Sequence, residues 1–294
     1  MGRDPDDRGS PLNEYEAWAT SAGARSYFDS FADGETDRLV KDVQGRVSFE
    51  IHRRFLRRHI HSGERVLEVG AGSGRFSVEL AELGAKVLVT DVSPVQLQLN
   101  KEFVNAHGHQ DAVLRREILD LRDAHLIAGE SLDAVVAFGG PLSYLFNGEA
   151  QALRGLLDLL PPGGLVIASV MSLYGTWRAS LPAVITIEER YGPAMNQAIL
   201  TTGDLRAIPD QAHVCRMFTW QQTQDLVEAA GAEIVAASAS NWSSLGNPDA
   251  LATIEADSAW WQRFLDHEEA ACSASGALDG GTHLLFAARR ISSR

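Results

Sequence analysis

The sequence predicts an α/β fold, a mostly parallel sheet with helices on both of its faces. Three observations carry that prediction. Short apolar runs alternate with amphipathic stretches from about residue 63 to residue 288, the pattern of strands joined by helical crossovers. A glycine loop, Gly70-x-Gly72-x-Gly74, stands between the first apolar run and the first amphipathic stretch. The second apolar run ends on an acid, Asp91, where a βαβ unit can accept the hydroxyls of a ribose.

Residues 1–11 are rich in Asp, Arg, Gly and Pro, and no regular structure is expected of them. From Leu12 the aromatics become dense, with Tyr15, Trp18, Tyr27, Phe28 and Phe31, and residues 29–37 form a polar break. Leu39, Val40, Val43, Val47, Ile51, Phe55 and Ile60 then fall three and four apart, which predicts one or two amphipathic helices ahead of the core. His52 and the arginines Arg53, Arg54, Arg57 and Arg58 are expected on the solvated face of that helix. Residues 1–62 are thus expected to form a tail and a helical cap, and residues 63–294 the core.

Within the core, 66–69 reads as a buried strand carrying Glu68. The helix after the glycine loop is marked by Phe76, Leu80 and Leu83, with Gly84 as its stop. Residues 85–90 form the second strand. Ser93-Pro94-Val95-Gln96 opens the next helix, with Ser93 as N-cap, proline at the first helical position and Gln96 placed for a capping box. A third strand is expected over 112–118, followed by Leu119-Asp120-Leu121, and a strongly apolar fourth over 132–138, followed by Gly139-Gly140-Pro141-Leu142-Ser143-Tyr144. Leu153, Leu156, Leu157 and Leu160 line one helix face before the turn Pro161-Pro162-Gly163-Gly164 and a fifth strand, 165–170. Residues 171–217 break the alternation. They carry Tyr174, Trp177, Tyr191 and Met195 and are longer than a connection needs, so a lid over an acceptor is expected there. Thr219-Trp220-Gln221-Gln222 opens another capped helix that Gly231 closes. A strand follows at 233–238. A second insertion, at about 245–272, holds one helix starting at Asn247-Pro248, and a last strand lies at 282–288.

The string VLEVGAGSGRFSVELAELGAKVLVTDVSPVQL, residues 66–97, resembles motif I and the acid-ended second strand of class I S-adenosylmethionine-dependent methyltransferases of the small-molecule type. The double-proline, double-glycine turn before strand five resembles the same family. The resemblance covers residues 63–170 specifically and 219–290 loosely. The N-terminal segment is similar to those of small-molecule methyltransferases, including the glycine N-methyltransferase type, in which it closes over the cofactor. The resemblance implies a Rossmann-like, seven-stranded sheet whose last strand runs antiparallel between the fifth and sixth. It implies S-adenosylmethionine as cofactor, held by Glu68, Gly70, Ala71, Gly72 and Gly74, with Asp91 and Val92 at the ribose and Asp120 and Leu121 at the adenine. Phe138 and Gly139 are implied to lie at the mouth of the fourth strand, beneath the reactive methyl.

Other glycine-loop chemistries fit less well. A phosphate-binding loop needs Gly-Lys-Ser/Thr, and Gly74 is followed by Arg75-Phe76. A nicotinamide-dependent oxidoreductase needs G-x-G-x-x-G and commonly Tyr-x-x-x-Lys, whereas four residues after Tyr144 stands Gly148. A non-catalytic adenosylmethionine-binding protein would keep the glycines and Asp91. The Asn/Asp-Pro-Pro-Tyr signature of amino-methylating enzymes and the acid pattern of the metal-dependent catechol type are absent, so no metal ligands are expected.

The formal charge of −13 and pI near 5.1 argue against nucleic acid or an anionic membrane as partner. No apolar run approaches the roughly 18–20 residues of a membrane span. No apolar leader is visible, and Cys215 and Cys272 stand far apart, so a cytoplasmic protein without disulfides is expected. A methyl on a sulfonium is already activated, and positioning can supply roughly 7–11 kcal/mol of the barrier. The expected reaction is N- or O-methylation of a small, partly apolar metabolite. Tyr144 and His213 are the candidate catalytic residues, and the oligomeric state is left open.

Overall fold

The computed structural model describes residues 21–31, 40–209, 211 and 213–291. Tyr15, Trp18, Leu39, the 1–11 tail and most of the 29–37 break lie outside those residues. Seven strands form one sheet: β1 (Arg65–Val69), β2 (Lys86–Asp91), β3 (Val113–Ile118), β4 (Ala134–Ala137), β5 (Leu165–Met171), β6 (Ala232–Ala239) and β7 (His283–Arg290). Their order is β3-β2-β1-β4-β5-β7-β6. The first five run parallel, and β7 lies antiparallel between β5 and β6. The Rossmann-like sheet expected from the sequence is the one found.

Strand alternation sorts the core into two layers. Leu67 and Val69 of β1, Val135 and Ala137 of β4, and Leu284 and Phe286 of β7 face one layer, with Leu153, Leu156 and Leu226 packed on them. Val66, Val136, Leu285 and Ala287 face the other, against Phe55, Leu56, Phe76, Leu80 and Leu97. Each fully buried side chain of this size contributes about 1.5–3 kcal/mol.

Four helices matter most for the site: α1 (Ser21–Phe31), α2 (Val43–Arg57), α3 (Arg75–Glu82) and α4 (Pro94–Ala106). Helix α5 (Glu149–Asp158) follows β4. The 171–217 segment contains three helices, α6 (Leu173–Ala179), α7 (Leu181–Tyr191) and α8 (Pro193–Thr202). They gather Leu173, Ile199, Ile208, Cys215 and Met217 into a separate small core, with Tyr144 packed against it. Helix α9 (Trp220–Ala229) starts with the expected capping box, Thr219 and Gln222 bonding reciprocally.

Three expectations are corrected. The single inserted helix after Asn247 is two, α10 (Pro248–Glu255) and α11 (Ser258–Cys272), because Asp257 accepts from Trp260 N at 2.8 Å and caps a new start. His52 is not solvated. It is buried, 3% exposed, with its ring against Phe76, Phe138 and His283, and its Nδ1 donates to Ser48 O. Ser48, His52 and Leu56 extend the Val47–Ile51–Phe55 stripe into a face wide enough to bury. Nor are the arginines simply solvated. Arg53 pairs with Glu50 at 2.8 Å and Glu79 at 2.6 Å, and Arg54 with Glu50, Asp266 and Glu269 at 2.7–3.0 Å. Arg58 also reaches Glu269. These pairs clamp α2 onto α3 and α11.

Candidate active site

Spatial order reverses between β1 and β4, and the crevice outside the carboxyl ends of strands at such a reversal is where an open α/β sheet binds its ligand. The loop after β1 enters that crevice. Gly70 has φ 66°, and a Cβ there would stand 3.1 Å from Pro141 Cβ, in the turn after β4. Gly74, at φ 100°, would set a Cβ 3.2 Å from Asn100 Cα, so its missing side chain lets α3 and α4 approach. Ala71 N donates to Thr90 O at 3.1 Å, and Gly72 N donates to Asp91 Oδ2 at 2.9 Å, so the ends of β1 and β2 hold each other.

Asp91 is 6% exposed, and its Oδ1 accepts from Ser93 N at 2.9 Å. Two backbone donors therefore fix the carboxylate at the crevice wall. Ser93 Oγ in turn accepts from Gln96 N at 3.0 Å, as its N-cap role requires. The expected reciprocal bond does not form. The Gln96 side chain donates instead to Phe28 O at 3.2 Å, and Ser93 Oγ donates to Asp29 Oδ1 at 2.5 Å. The start of α4 thus anchors α1.

After β3, Asp120 caps the next turn through Arg122 N at 2.8 Å and pairs with the Arg122 guanidinium at 2.9 Å. After β4, the turn Pro141–Tyr144 is tied down by Ser143, whose Oγ accepts from Met171 N at 2.9 Å and whose carbonyl accepts from Arg216 N at 2.7 Å. The second bond draws the 213–218 strip beside the β4 turn. Tyr144 Oη and His213 Nε2, 69 residues apart, meet there at 2.9 Å. Helix α1 closes over them, with Phe28 edge-on to Tyr144 at 5.2 Å and Tyr27 tilted on His213 at 5.4 Å between ring centroids.

These pieces line a partly open cavity of about 350 Å³, within the range of small-molecule sites. Its lining includes Gly70, Gly72, Asp91, Val92, Asp120, Leu121, Phe138, Gly139, Tyr144 and His213. It also includes residues the sequence reading did not assign to the site: Tyr27, Phe28, Val69, Gln96, Leu119, Arg122, Pro141 and Leu145. Tyr27 and Phe28 could be noted only as dense aromatics, and Gln96 only as a capping residue; the docking of α1 makes them neighbours. The lining suits S-adenosylmethionine. The glycine loop turns at positive φ with Gly70 pressed close to Pro141, a fixed carboxylate stands at the end of β2, and Val69, Val92, Leu119, Leu121 and Phe138 make apolar walls.

Glu68, Ala71 and Gly74 do not line the cavity. Side chains alternate along β1, and Glu68 points into the layer opposite Leu67 and Val69. It is 2% exposed and accepts from Ser77 Oγ at 2.5 Å. Ser77 Oγ accepts from Asn100 Nδ2 at 2.7 Å, and Asn100 Oδ1 accepts from Arg116 Nε at 2.9 Å. Burial pushes the Glu68 carboxyl up to about 8, with the bond from Ser77 opposing and the nearby Asp91 charge adding to the rise. Glu68 thus braces the loop from beneath, with α3 and α4. Among the described residues, no group of three or more His, Cys, Asp or Glu could hold a metal ion, and no helix is long and apolar enough to cross a membrane.

With that geometry in view, comparison with known proteins bears on the same elements. Residues 67–166 match the family model described as a methyltransferase domain. The chain is 30% identical over 154 residues to an Arabidopsis thaliana protein named "Probable protein arginine N-methyltransferase 6", covering 51% of this chain and 34% of that one. It is 32% identical over 116 residues to a ubiquinone biosynthesis O-methyltransferase of Cereibacter sphaeroides, covering 37% and 42%. It spans less than half the length of either relative. A solved S-adenosylmethionine-dependent methyltransferase from Mesorhizobium loti has the same fold, with a TM-score of 0.54, 21% identity and coverage of 84% of this chain and all of that one. The family model makes residues 67–166 a methyltransferase domain, and the sheet that carries it has the fold of a solved S-adenosylmethionine-dependent methyltransferase.

Proposed function

We propose that the protein transfers a methyl group from S-adenosylmethionine to a small, partly apolar metabolite. The observation that carries this reading is that one cavity joins the Gly70–Gly72 cradle and Asp91 to the aromatic wall of Tyr27, Phe28 and Tyr144 with His213. S-adenosylmethionine, when bound, supplies a methyl already activated by its sulfonium. The residues of this chain bind, orient and exclude water. Asp91, held by Gly72 N and Ser93 N, receives the ribose hydroxyls, and Asp120 with Leu121 bounds the adenine side. Phe138 and Gly139 form the floor next to the transfer position. Tyr144 stands beside the acceptor as its polar contact with His213 bonded to it, and α1 with the strip at His213 forms the cover, the 171–217 helices packing behind Tyr144.

Helix α1 is fastened over one side of this cavity through Asp29 and Phe28, which narrows the approach for a macromolecular acceptor. The chain's charge of −13 also disfavours polyanions. Two buried, free cysteines are in keeping with action in a reducing cytoplasm. The test is incubation of the full chain with labelled methyl donor and a small-molecule acceptor panel, with and without chelator. Transfer RNA, DNA and protein substrates run alongside. Label in a small molecule, undiminished by chelator, is the expected result. Efficient methylation of a macromolecule, or loss of activity on chelation, would overturn it.

A further inference from the structure

Resting on that reading, we infer that the acceptor is a neutral aromatic hydroxyl compound, whose hydroxyl proton leaves through Tyr144 to His213. The inference starts from which way the imidazole points. His213 Nε2 is bonded to Tyr144 Oη at 2.9 Å, so between these two atoms the one offered to an acceptor is the phenolic oxygen. A tyrosine hydroxyl is both donor and acceptor. With Nε2 unprotonated, it receives the Tyr144 proton, leaving Oη able to accept a proton in turn. Imidazole is the side chain that changes charge near neutrality, which suits it to hold that proton.

The charges around the cavity narrow the acceptor class. Among the described lining residues the one cationic side chain is Arg122, and it is paired with Asp120. An acceptor bearing a carboxylate beside Tyr144 would therefore find no arginine or lysine on its side of β1 among the described lining residues. The lining carboxylates, Asp91 and Asp120, stand at the ends of β2 and β3, on the far side of β1 from Tyr144 in the strand order. An amine entering neutral needs no base, so the Tyr144–His213 pair would have no proton to move before transfer. A hydroxyl on an aromatic body uses every feature present: the edges and faces of Phe28, Tyr27 and Tyr144 for the ring, and the proton relay for the oxygen.

The step balances as follows. The acceptor O–H proton passes to Tyr144 Oη as the Tyr144 proton passes to His213 Nε2, leaving Tyr144 neutral and His213 cationic. The acceptor oxygen forms its bond to the methyl carbon as the sulfur–carbon bond breaks, the electron pair staying on sulfur as a neutral thioether. His213 then releases its proton to solvent. Tyr144 is the catalytic residue; His213 acts through it.

The experiment uses the full chain, H213Q and Y144F, each first shown to keep wild-type affinity for adenosylhomocysteine by calorimetry. The substrates are substituted phenols of graded acidity and matched arylamines. Both variants are expected to lose roughly 10²–10³-fold in kcat on weakly acidic phenols, a loss that shrinks as the phenol becomes more acidic. H213Q should also lose the low-pH fall in kcat that the wild type shows. A second readout needs no turnover: the wild type should lower the pH at which bound 4-nitrophenol ionises, seen by absorbance without methyl donor, and H213Q should not. Wild-type rates and pH profile in H213Q overturn the relay. Turnover of arylamines but not phenols overturns the acceptor class while leaving methyl transfer standing. Failure of the wild type to bind the cofactor, or to methylate anything, overturns both readings.

Discussion

Asp91→Ala should weaken adenosylmethionine and adenosylhomocysteine binding by roughly 30- to 1000-fold. The carboxylate is held by Gly72 N and Ser93 N at 2.9 Å each, so its orientation is set before any ligand arrives. A hydrogen bond to a charged group contributes about 1.5–3 kcal/mol, and a ribose offers two hydroxyls. The sum is not reached, because water entering the space left by the carboxylate would serve part of the hydroxyls' need. A net loss of about 2–4 kcal/mol remains, which at about 1.4 kcal/mol per tenfold gives the range above. The same substitution leaves the Gly72 and Ser93 amides without their acceptor. Ser93 is fully buried, so melting should fall as well, by an amount reflecting about 1–3 kcal/mol. Asp91→Asn keeps one acceptor oxygen and should lie between. Titration calorimetry with adenosylhomocysteine on protein verified as folded by circular dichroism measures all three. Unchanged affinity in a folded Asp91→Ala protein would refute the placement of the ribose.

Three further outcomes can be checked. The Glu68 carboxyl, raised to about 8 by burial, adds stability below its unfolded value of about 4.3. That contribution is lost as pH rises through about 8, because over this window the native state holds the proton that the unfolded chain releases. Glu68→Gln should therefore gain melting temperature relative to wild type between pH 5 and pH 8, and a constant difference across that range would contradict the buried, raised carboxyl. Glu268 accepts from the backbone and side chains of Ser243 and Ser244 and from Trp242 N, at 2.5–3.1 Å. Burial raises its pKa, but the serine and backbone bonds together outweigh that and hold it below the usual range. Its contribution is present above the unfolded value and lost as pH falls through the folded one. Glu268→Gln should cost about 2–4 kcal/mol at neutral pH, measured by urea unfolding, with a smaller difference from wild type near pH 3. Removing residues 1–31 should abolish transfer with the core still folded, whereas removing 1–11 should leave the rate unchanged; wild-type kcat in the longer truncation would show that α1 is not needed as a cover.

Much of the sheet was legible because its signals are local. Strand ends fell within a residue or two of their expected places for most strands, since apolar runs bounded by glycine, proline or a cap leave little choice. The Thr219 capping box forms as its spacing predicts and Ser93 caps α4 through Gln96 N, because such bonds need only residues three apart, though the return bond from Gln96 does not form. Errors arose where the deciding contact is distant. His52 and the arginines around it read as solvated from their neighbours in sequence, yet α3, α11 and β7 cover that face. The insertion after Asn247 reads as one helix because its apolar spacing continues past Asp257, where the Asp257 cap to Trp260 N starts a second one.

The sequence by itself determined the α/β alternation, the glycine loop, the acid at the end of β2 and, through them, the methyltransferase domain of residues 67–166. Each is a property of a short stretch whose residues act on one another or on the backbone beside them. Only the tertiary structure decided that Glu68 braces the loop from the far face of β1 and that Gln96 turns from its own cap to hold Phe28. It also decided that Tyr144 and His213 meet at 2.9 Å across 69 residues. Those outcomes depend on which chain segments the sheet order and the docking of α1 bring together, and nothing local encodes such a pairing.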